Sequence, residues 1–251
     1  MRLAASIPII AGAMLSSTAV FAAPTFDYQV QSFDTDTGAA QDAFDLWVAS
    51  KNKVLTEDFE EFNSFPDDGN SAAQNPATVV GTFTGSGGQG GGTAAVLNTD
   101  ETVVKDSDTE GRNVTKQGDQ WLDSNDVPTV TWDISGTSVD DFGPFDSIGF
   151  FLIDVADQGA TMEVTFAGGG SEEFDLPTFS GEDNSNIQFI TGKFSQLISS
   201  ATVTMSNLEN DNRDGWGVDN ASIAVPVPAS MALLGTGLLG LGLLARRSKA
   251  G

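Results

Sequence analysis

The densest group of residues able to bind a metal ion is an acidic, amide-rich stretch near the C-terminal end. It reads NLENDNRDGWGVDN and covers residues 207–220. Asn210, Asn212 and Asp214 alternate before a glycine, and oxygen ligands of this kind suit Ca²⁺. An EF-hand is excluded, because its twelfth loop position needs a bidentate glutamate and here is Ala221. A calcium loop of another kind through Asp214 and a solvated turn both remain open.

Two further carboxylates, Glu60 and Asp219, lie near the two ends of the central region. Glu60 stands in TEDFEEF and Asp219 in GWGVDNAS. In a jelly roll the first and last strands commonly lie close together, and a carboxylate buried among aromatic residues needs a partner. The pair therefore predicts a structural calcium ion that ties the chain ends together. The alternative is that both acids occupy exposed strand positions.

Histidine and cysteine are both missing from the sequence. Their absence excludes a Ser-His-Asp triad, a cysteine nucleophile and a zinc site built from histidine or cysteine. Carboxylate chemistry remains, so a secreted glycoside hydrolase is one alternative function. Chance pairs are expected among 35 acidic residues, so a carboxylate pair alone is no evidence of catalysis. Because histidine and cysteine are missing, we predict no catalytic residue and no enzyme activity.

Many short runs rich in Val, Ile, Thr and Phe, each bounded by Gly, Asp, Asn or Pro, predict β-strands. Their number and spacing predict a single all-β domain, a β-sandwich or jelly roll. The run SIGFFLIDV, residues 147–155, is continuously apolar, so we predict a central strand covered on both faces.

A few segments have other predicted roles around this sandwich. Residues Ala40 to Ala49 place Phe44, Trp47 and Val48 on one helical face and predict a short helix. The stretch KVLTEDFEEF is the predicted first strand, and FSQLISS is predicted as a turn of helix. Residues 23–50 are thus expected to form an N-terminal segment before a sandwich over 51–225.

The charge of the chain is strongly negative. Four of its 11 basic residues lie in the two ends, which leaves seven against 35 acidic residues and a net charge of −28. Such a surface repels nucleic acid and anionic membranes. It suits either a solvated extracellular protein or a protein that binds cations.

The N-terminus has the three parts of a secretory signal peptide. A positive start, Met1-Arg2, is followed by an apolar run to Phe21 and by small residues at Ala22 and Ala23. This order predicts a signal peptide over residues 1–22 that signal peptidase cuts before Ala23.

The C-terminus over residues 225–251 is a separate segment with three parts. It begins with the prolines and small residues Val225, Pro226, Val227, Pro228 and Ala229. An apolar run follows from Met231 through Leu238 to Ala245, and the chain ends on the basic residues Arg246, Arg247 and Lys249. Fifteen apolar residues span about 22 Å as a helix, shorter than a hydrocarbon core of about 30 Å. We expect this helix to hold the chain in an inner membrane, with the basic end in the cytoplasm.

These residues resemble a PEP-CTERM sorting signal, and more closely its VPLPA-CTERM variant from Gram-negative bacteria. Val227 stands where that variant has leucine. The resemblance implies processing by an exosortase, a membrane-embedded enzyme, and association with exopolysaccharide and the cell surface. An inner-membrane intermediate then precedes a cell-surface or extracellular location. An alternative is a permanent single-pass membrane protein whose tail is never cut.

The central region resembles the exported domains that usually precede such tails. TEDFEEF and DGWGVDNASIAV are similar to their first and last strands. The resemblance implies a jelly roll of the galactose-binding or carbohydrate-binding type. A carbohydrate-binding module is therefore another alternative, in which Trp121, Trp132 and Trp216 form a sugar-stacking face; in the competing interpretation these tryptophans belong to the core. The leading prediction is a non-enzymatic surface or matrix protein.

Overall fold

A computed structural model describes the central part of the chain in several stretches. These are residues 24–33, 36–62, 75–86, 103–106, 120–124, 127, 129–153, 160–166, 169–176, 186–207 and 216–226. The predicted signal peptide, the loop residue Asp214 and the tail beyond Pro226 lie outside the described residues.

The described residues form mostly strands, with two helices between them. In chain order the elements are β1 Phe26–Ser32, α1 Thr37–Ala49, β2 Lys51–Glu57, β3 Ala77–Thr78, β4 Gly81–Ser86, β5 Val103–Asp106, β6 Gln120–Asp123, β7 Thr129–Ile134, α2 Thr137–Phe142, β8 Phe145–Ile153, β9 Ala160–Phe166, β10 Ser171–Leu176, β11 Ile187–Ile198, β12 Ala201–Asn207 and β13 Gly217–Pro226.

Two antiparallel sheets are built from these strands. The seven-stranded sheet has the order β1-β11-β8-β13-β6-β5, and β2 also pairs with β13. The six-stranded sheet has the order β10-β9-β12-β7-β4-β3. From β10 to β13 the chain alternates between the two sheets, as it does in jelly rolls. The predicted all-β sandwich is confirmed.

Aromatic side chains join the two sheets across the core. Trp132 of β7 stacks on Phe83 of β4 with ring centroids 5.5 Å apart, and its edge meets Phe150 of β8 at 5.8 Å. All three side chains are fully buried. Burial of side chains of this size contributes roughly 1.5–3 kcal/mol each, so this stack is a main support of the sandwich.

Strand β8 is buried along its whole length, from Phe145 to Ile153. Its inner residues pack in the core, while Phe151 packs against Phe44 of α1 at 5.8 Å on the opposite face. The ring of Trp47 leaves so little room that a Cβ on Gly149 would lie 3.0 Å from it. The predicted central strand, covered on both faces, is confirmed, and α1 supplies the outer cover.

Helix α1 confirms the predicted helix, with a start three residues earlier than expected. Asp36 caps it by accepting a hydrogen bond from the Ala39 backbone N–H at 2.9 Å. Because the cap satisfies an otherwise unpaired backbone donor, the first turn forms before the apolar face begins.

Two predictions on strands and helices were wrong. The stretch KVLTEDFEEF contains β2, the second strand, because β1 precedes it and pairs with β11 in the same sheet. Residues 23–50 therefore supply a strand to the sandwich as well as the helix. The stretch FSQLISS continues β11 as far as Ile198, since Phe194 is held by the rings of Phe26 at 4.8 Å and Phe145 at 6.0 Å.

The strand directions bring the start of β1 and the end of β13 to one end of the seven-stranded sheet. Here β1 begins at Phe26, β2 begins at Lys51 and β13 ends at Pro226. We call this the tail end. One row of register partners close to it runs through Asp27, Lys193, Ser147, Ala224 and Val54.

Candidate functional site

The first two residues of the Val225–Ala229 stretch belong to the last strand. Val225 pairs with Lys53 of β2, and after a register shift Pro226 pairs with Lys51. Both are half-buried, and Val225 packs against the core. Proline has no N–H to donate, so it is a natural residue for the end of a strand. The stretch therefore starts inside the folded domain.

Two lysines of β2 flank this strand end and are held by local contacts. Lys51 donates to the Ser147 hydroxyl at 3.1 Å and lies 5.0 Å from the ring centre of Trp47. Lys53 donates to the Phe142 carbonyl at 2.7 Å and lies 4.2 Å above its ring. Burial lowers the pKa of Lys51. The nearby Asp146 carboxylate raises that pKa, but by less than burial lowers it. Cation–π contacts of this type fix the position of the lysine head groups.

Glu60 lies in the turn that follows β2. Its Oε1 accepts a hydrogen bond from the Gln120 backbone N–H at 2.7 Å, so it joins the end of β2 to the start of β6. The side chain is half-buried. Glu60 was expected on the first strand, but it lies in the turn after β2, the second strand, where one of its oxygens has a backbone partner.

Asp219 lies in β13 and is 1% exposed. Its register partner is Phe151, so it shares the face of the sheet that α1 covers. Its Oδ1 accepts from the Asn220 backbone N–H at 2.6 Å. The pairing of β13 with β8 shifts between Asp219 and Ser222, and Asn220 adopts a φ of 48° there. Bulges of this kind re-aim side chains and are common beside functional sites.

The structure brings the segments of Glu60 and Asp219 beside each other. Glu57, three residues before Glu60, is the register partner of Ala221, two residues after Asp219. At the same place β6 replaces β2 as a neighbour of β13. The two segments lie near each other, as predicted, because β13 pairs with β2 on one side of this point and with β6 on the other.

Glu57 is a buried acid that sequence reasoning missed. Its Oε1 accepts from the Phe59 N–H at 2.8 Å and its Oε2 from the Val79 N–H at 3.2 Å. Burial raises the pKa of Glu57, and these two hydrogen bonds act in the opposite direction. Phe59 has a φ of 61°, which is rare for a bulky residue. The carboxylate thus stabilises a strained turn. Glu57 lies two residues after the apolar Leu55, so both are on one face of β2, and this spacing was the signal for a buried acid in the sequence.

Asp123, at the end of β6, is a second buried acid not singled out from the sequence. It is 1% exposed and pairs with Gly217, two residues before Asp219 on β13. Both aspartates therefore lie on one face of the sheet. Within the part of the chain that the structure describes, no group of three or more acidic side chains is placed to hold a metal ion.

The three tryptophans considered for sugar stacking are all buried. Trp132 and Trp216 lie in the main core, and Trp132 donates from Nε1 to the Val80 carbonyl at 3.0 Å. Trp121 lies against Gly217, where an added Cβ would be 2.6 Å from its ring. These side chains form no exposed stacking face, and the core interpretation is the correct one.

The comparison with protein families decides what the C-terminal stretch is. A family described as the PEP-CTERM protein-sorting motif matches residues 224–248. The chain carries a PEP-CTERM sorting motif. The match begins at Ala224, inside β13, so the PEP-CTERM motif overlaps the last strand by three residues. The resemblance predicted from the sequence is confirmed.

The PEP-CTERM motif marks an exported protein that is directed to the cell surface and sorted by an exosortase. The predicted membrane segment, with Met231, Leu238 and Ala245, and the basic residues Arg246, Arg247 and Lys249 lie outside the described residues. Inside the described ranges, no helix is long and apolar enough to cross a bilayer.

Among solved structures the chain is similar to several β-domains. The K2 cleaved adhesin domain of Lys-gingipain has 10% identity and a TM-score of 0.41, over 68% of this chain and 98% of that one. CBM27-1 of Caldicellulosiruptor saccharolyticus, solved with mannohexaose, has 13% identity and a TM-score of 0.30, over 68% and 97%. CBM35 from Cellvibrio japonicus Abf62 has 16% identity and a TM-score of 0.27, over 50% and 94%. No curated protein matches the chain.

Proposed function

We propose that this protein is a non-enzymatic component of the cell surface or extracellular matrix, delivered there by its PEP-CTERM motif and associated with exopolysaccharide. The observation that carries the proposal is the continuity of the sandwich and the motif. Val225 and Pro226 belong both to β13 and to the sorting signal. The folded domain is thus the cargo of the signal, joined to it without a linker.

The chemistry of the domain supports a structural role rather than a catalytic one. The chain has neither histidine nor cysteine, and its central region is strongly acidic. The buried carboxylate of Glu57 is occupied by two backbone N–H groups. An acid engaged in this way stabilises a turn and is a poor general acid or base.

Mass spectrometry of the intact protein from the native cell surface tests the proposal. We expect a chain that starts at Ala23 and ends near Pro228-Ala229, without residues 231–251. A chain that still ends at Gly251 would show a permanent membrane anchor and would contradict sorting by cleavage.

Association with exopolysaccharide needs its own measurement. The mature protein is expected to co-sediment with polysaccharide isolated from the native cells and to remain in solution without it. Deletion of the exosortase should leave the protein in the membrane fraction and remove it from the matrix. Unchanged matrix levels in that strain would contradict the proposed route.

A structural calcium ion at the junction of β2, β6 and β13 is a second part of the proposal. Glu60 comes to this junction from the turn after β2 and Asp219 from β13, where it is buried. Carboxylate, carbonyl and amide oxygens are the ligands that Ca²⁺ takes in proteins. Asp219 and Glu60 are the residues we expect to bind it, with Asp214 as a weaker candidate.

A further inference from the structure

The tail end of the sandwich is the part of the domain closest to both membrane-directed segments of the precursor. Asp27 and Ala224 lie in one row of the seven-stranded sheet, separated by three strand spacings or about 14 Å. The signal peptide precedes the first of these residues, and the sorting signal follows the second. Both segments therefore attach to the same end of the domain.

The spacer between the domain and the apolar run of the tail is very short. Pro226 ends β13, and the apolar run begins at Met231, which leaves only residues 227–230 between them. Four residues span at most about 14 Å when fully extended. One headgroup layer is itself roughly 5–7 Å thick, so the spacer leaves less than about 10 Å between the tail end and the headgroups.

Lysines are concentrated at this end of an otherwise acidic domain. Of the four lysines in the residues that the structure describes, Lys51, Lys53 and Lys193 lie at the tail end. Asp27 is the register partner of Lys193, Asp146 lies near Lys51, and Asp141 lines the same cavity as Lys53. The central region as a whole has five acids for each basic residue. The lysines therefore weaken the repulsion of this end from an anionic surface.

An exposed apolar residue projects at the same end. Between Lys193 and Ile198 the pairing of β11 with β8 shifts, and β11 has more residues than β8 over this interval, so it forms a bulge. Leu197 lies in this bulge and is 56% exposed. The Ser195 N–H donates to the Thr25 carbonyl at 2.9 Å and fixes the bulge to the start of β1. A leucine beside lysines suits the interface between water and lipid.

We propose that the tail end is a membrane-facing surface, which seats on phospholipid headgroups at the outer face of the inner membrane while the sorting signal is inserted. This inference rests on the proposed function, because it requires an inserted tail. Strand β13, of ten residues, then rises about 33 Å from the lipid, so the opposite end of the sandwich points away from the membrane.

Single-cysteine variants test this orientation without background, because the chain has no cysteine of its own. Gln196→Cys places a fluorophore at the tail end, and Ser32→Cys places one near the opposite end of the same sheet; both positions are exposed. The full chain, purified after removal of its signal peptide, is reconstituted in vesicles of phosphatidylethanolamine and phosphatidylglycerol that carry a headgroup nitroxide lipid. Quenching of each fluorophore is then measured.

We expect quenching at Gln196→Cys to be at least about threefold stronger than at Ser32→Cys, because about 20 Å separates their ends of the sheet. Equal quenching, or stronger quenching at Ser32→Cys, in a chain that sediments with the vesicles would overturn the orientation and leave sorting intact. A chain that does not enter the vesicles would overturn both this inference and the proposed function.

A variant with a longer linker tests whether the short spacer holds the tail end against the membrane. About 20 glycine and serine residues, with an r.m.s. length of roughly 25 Å, are inserted between Pro226 and Val227. We expect the difference in quenching between the two labelled positions to fall toward zero. A difference that survives the insertion would refute the role of the spacer.

Discussion

Pro226 of the sorting motif lies opposite Lys51, the first residue of β2, at the last register position of the pair. A strand inside the seven-stranded sheet thus ends as the export signal begins. The signal cannot be treated as a separate tag, since changes in its first residues also act on the fold.

Substitution of Val225 should therefore lower stability, whereas substitution of Val227 should not. Val225→Ala removes packing against the core at a half-buried strand position, and we expect the free energy of unfolding to fall by about 1 kcal/mol. Val227→Ala is the matched control beyond β13, with an expected change within about 0.5 kcal/mol. Chemical denaturation of both variants measures this. Equal losses would show that the strand does not end at Pro226.

Gly81, at the start of β4, should tolerate no side chain. Its φ is 125°, and an added Cβ would lie 2.0 Å from the Asp133 carbonyl oxygen. We expect Gly81→Ala to cost more than about 4 kcal/mol or to prevent folding. Gly136→Ala is the control, because its φ of 101° brings strain but no atom lies within 4 Å of the Cβ. Its cost should be near 1–2 kcal/mol, the strain alone. Similar losses in both would contradict the steric explanation.

The raised pKa of Glu57 predicts a specific dependence of stability on pH. The folded state holds the proton of Glu57 more tightly than the unfolded state, whose pKa is near 4.5. Ionisation of Glu57 therefore costs stability, and that cost disappears as the pH falls through the folded pKa toward 4.5. Relative to Glu57→Gln, the wild type should gain stability between pH 7 and 4.5 and show no further relative change below. A relative loss over that range would contradict the sign.

Calcium should raise the unfolding temperature of the mature protein. At a concentration 100 times its Kd, the ion adds about 2.7 kcal/mol, or roughly 5 to 10 °C for a domain of this size. Glu60→Ala and Asp219→Ala should abolish the shift, while Asp42→Ala on the exposed face of α1 should keep it. Differential scanning calorimetry with calcium and with chelator measures this. No shift in the wild type would refute the calcium proposal.

The sequence predicted those strands and helices in which apolar residues recur in a clear pattern within one short segment. The run around Phe150 and the helix around Phe44 are confirmed because each buries a continuous apolar face. Strand β1 was missed although Phe26, Tyr28 and Val30 alternate with polar residues, which is the period of a half-buried strand. The extension of β11 depends on Phe194 meeting rings from distant parts of the chain, which no local pattern reveals.

The candidate site was predicted only in outline. The neighbourhood of Glu60 and Asp219 followed from the expected pairing of early and late strands, and the structure gives it through β2 and β13. The engagement of Glu57 with the Val79 N–H depends on a contact between residues far apart in sequence. The spacing of Glu57 from Leu55 marks it as an acid on the inner face of β2, but periodicity carries no information about the Val79 contact that holds it.

The short stretch between β13 and the expected cleavage point also limits where the domain would lie once it has been transferred. If the chain is cut after Ala229, only three residues extend beyond Pro226, about 10 Å at full stretch. A molecule joined to that new carboxyl end would therefore lie within about 10 Å of the tail end, and the opposite end of the sandwich would be the face presented to the surroundings.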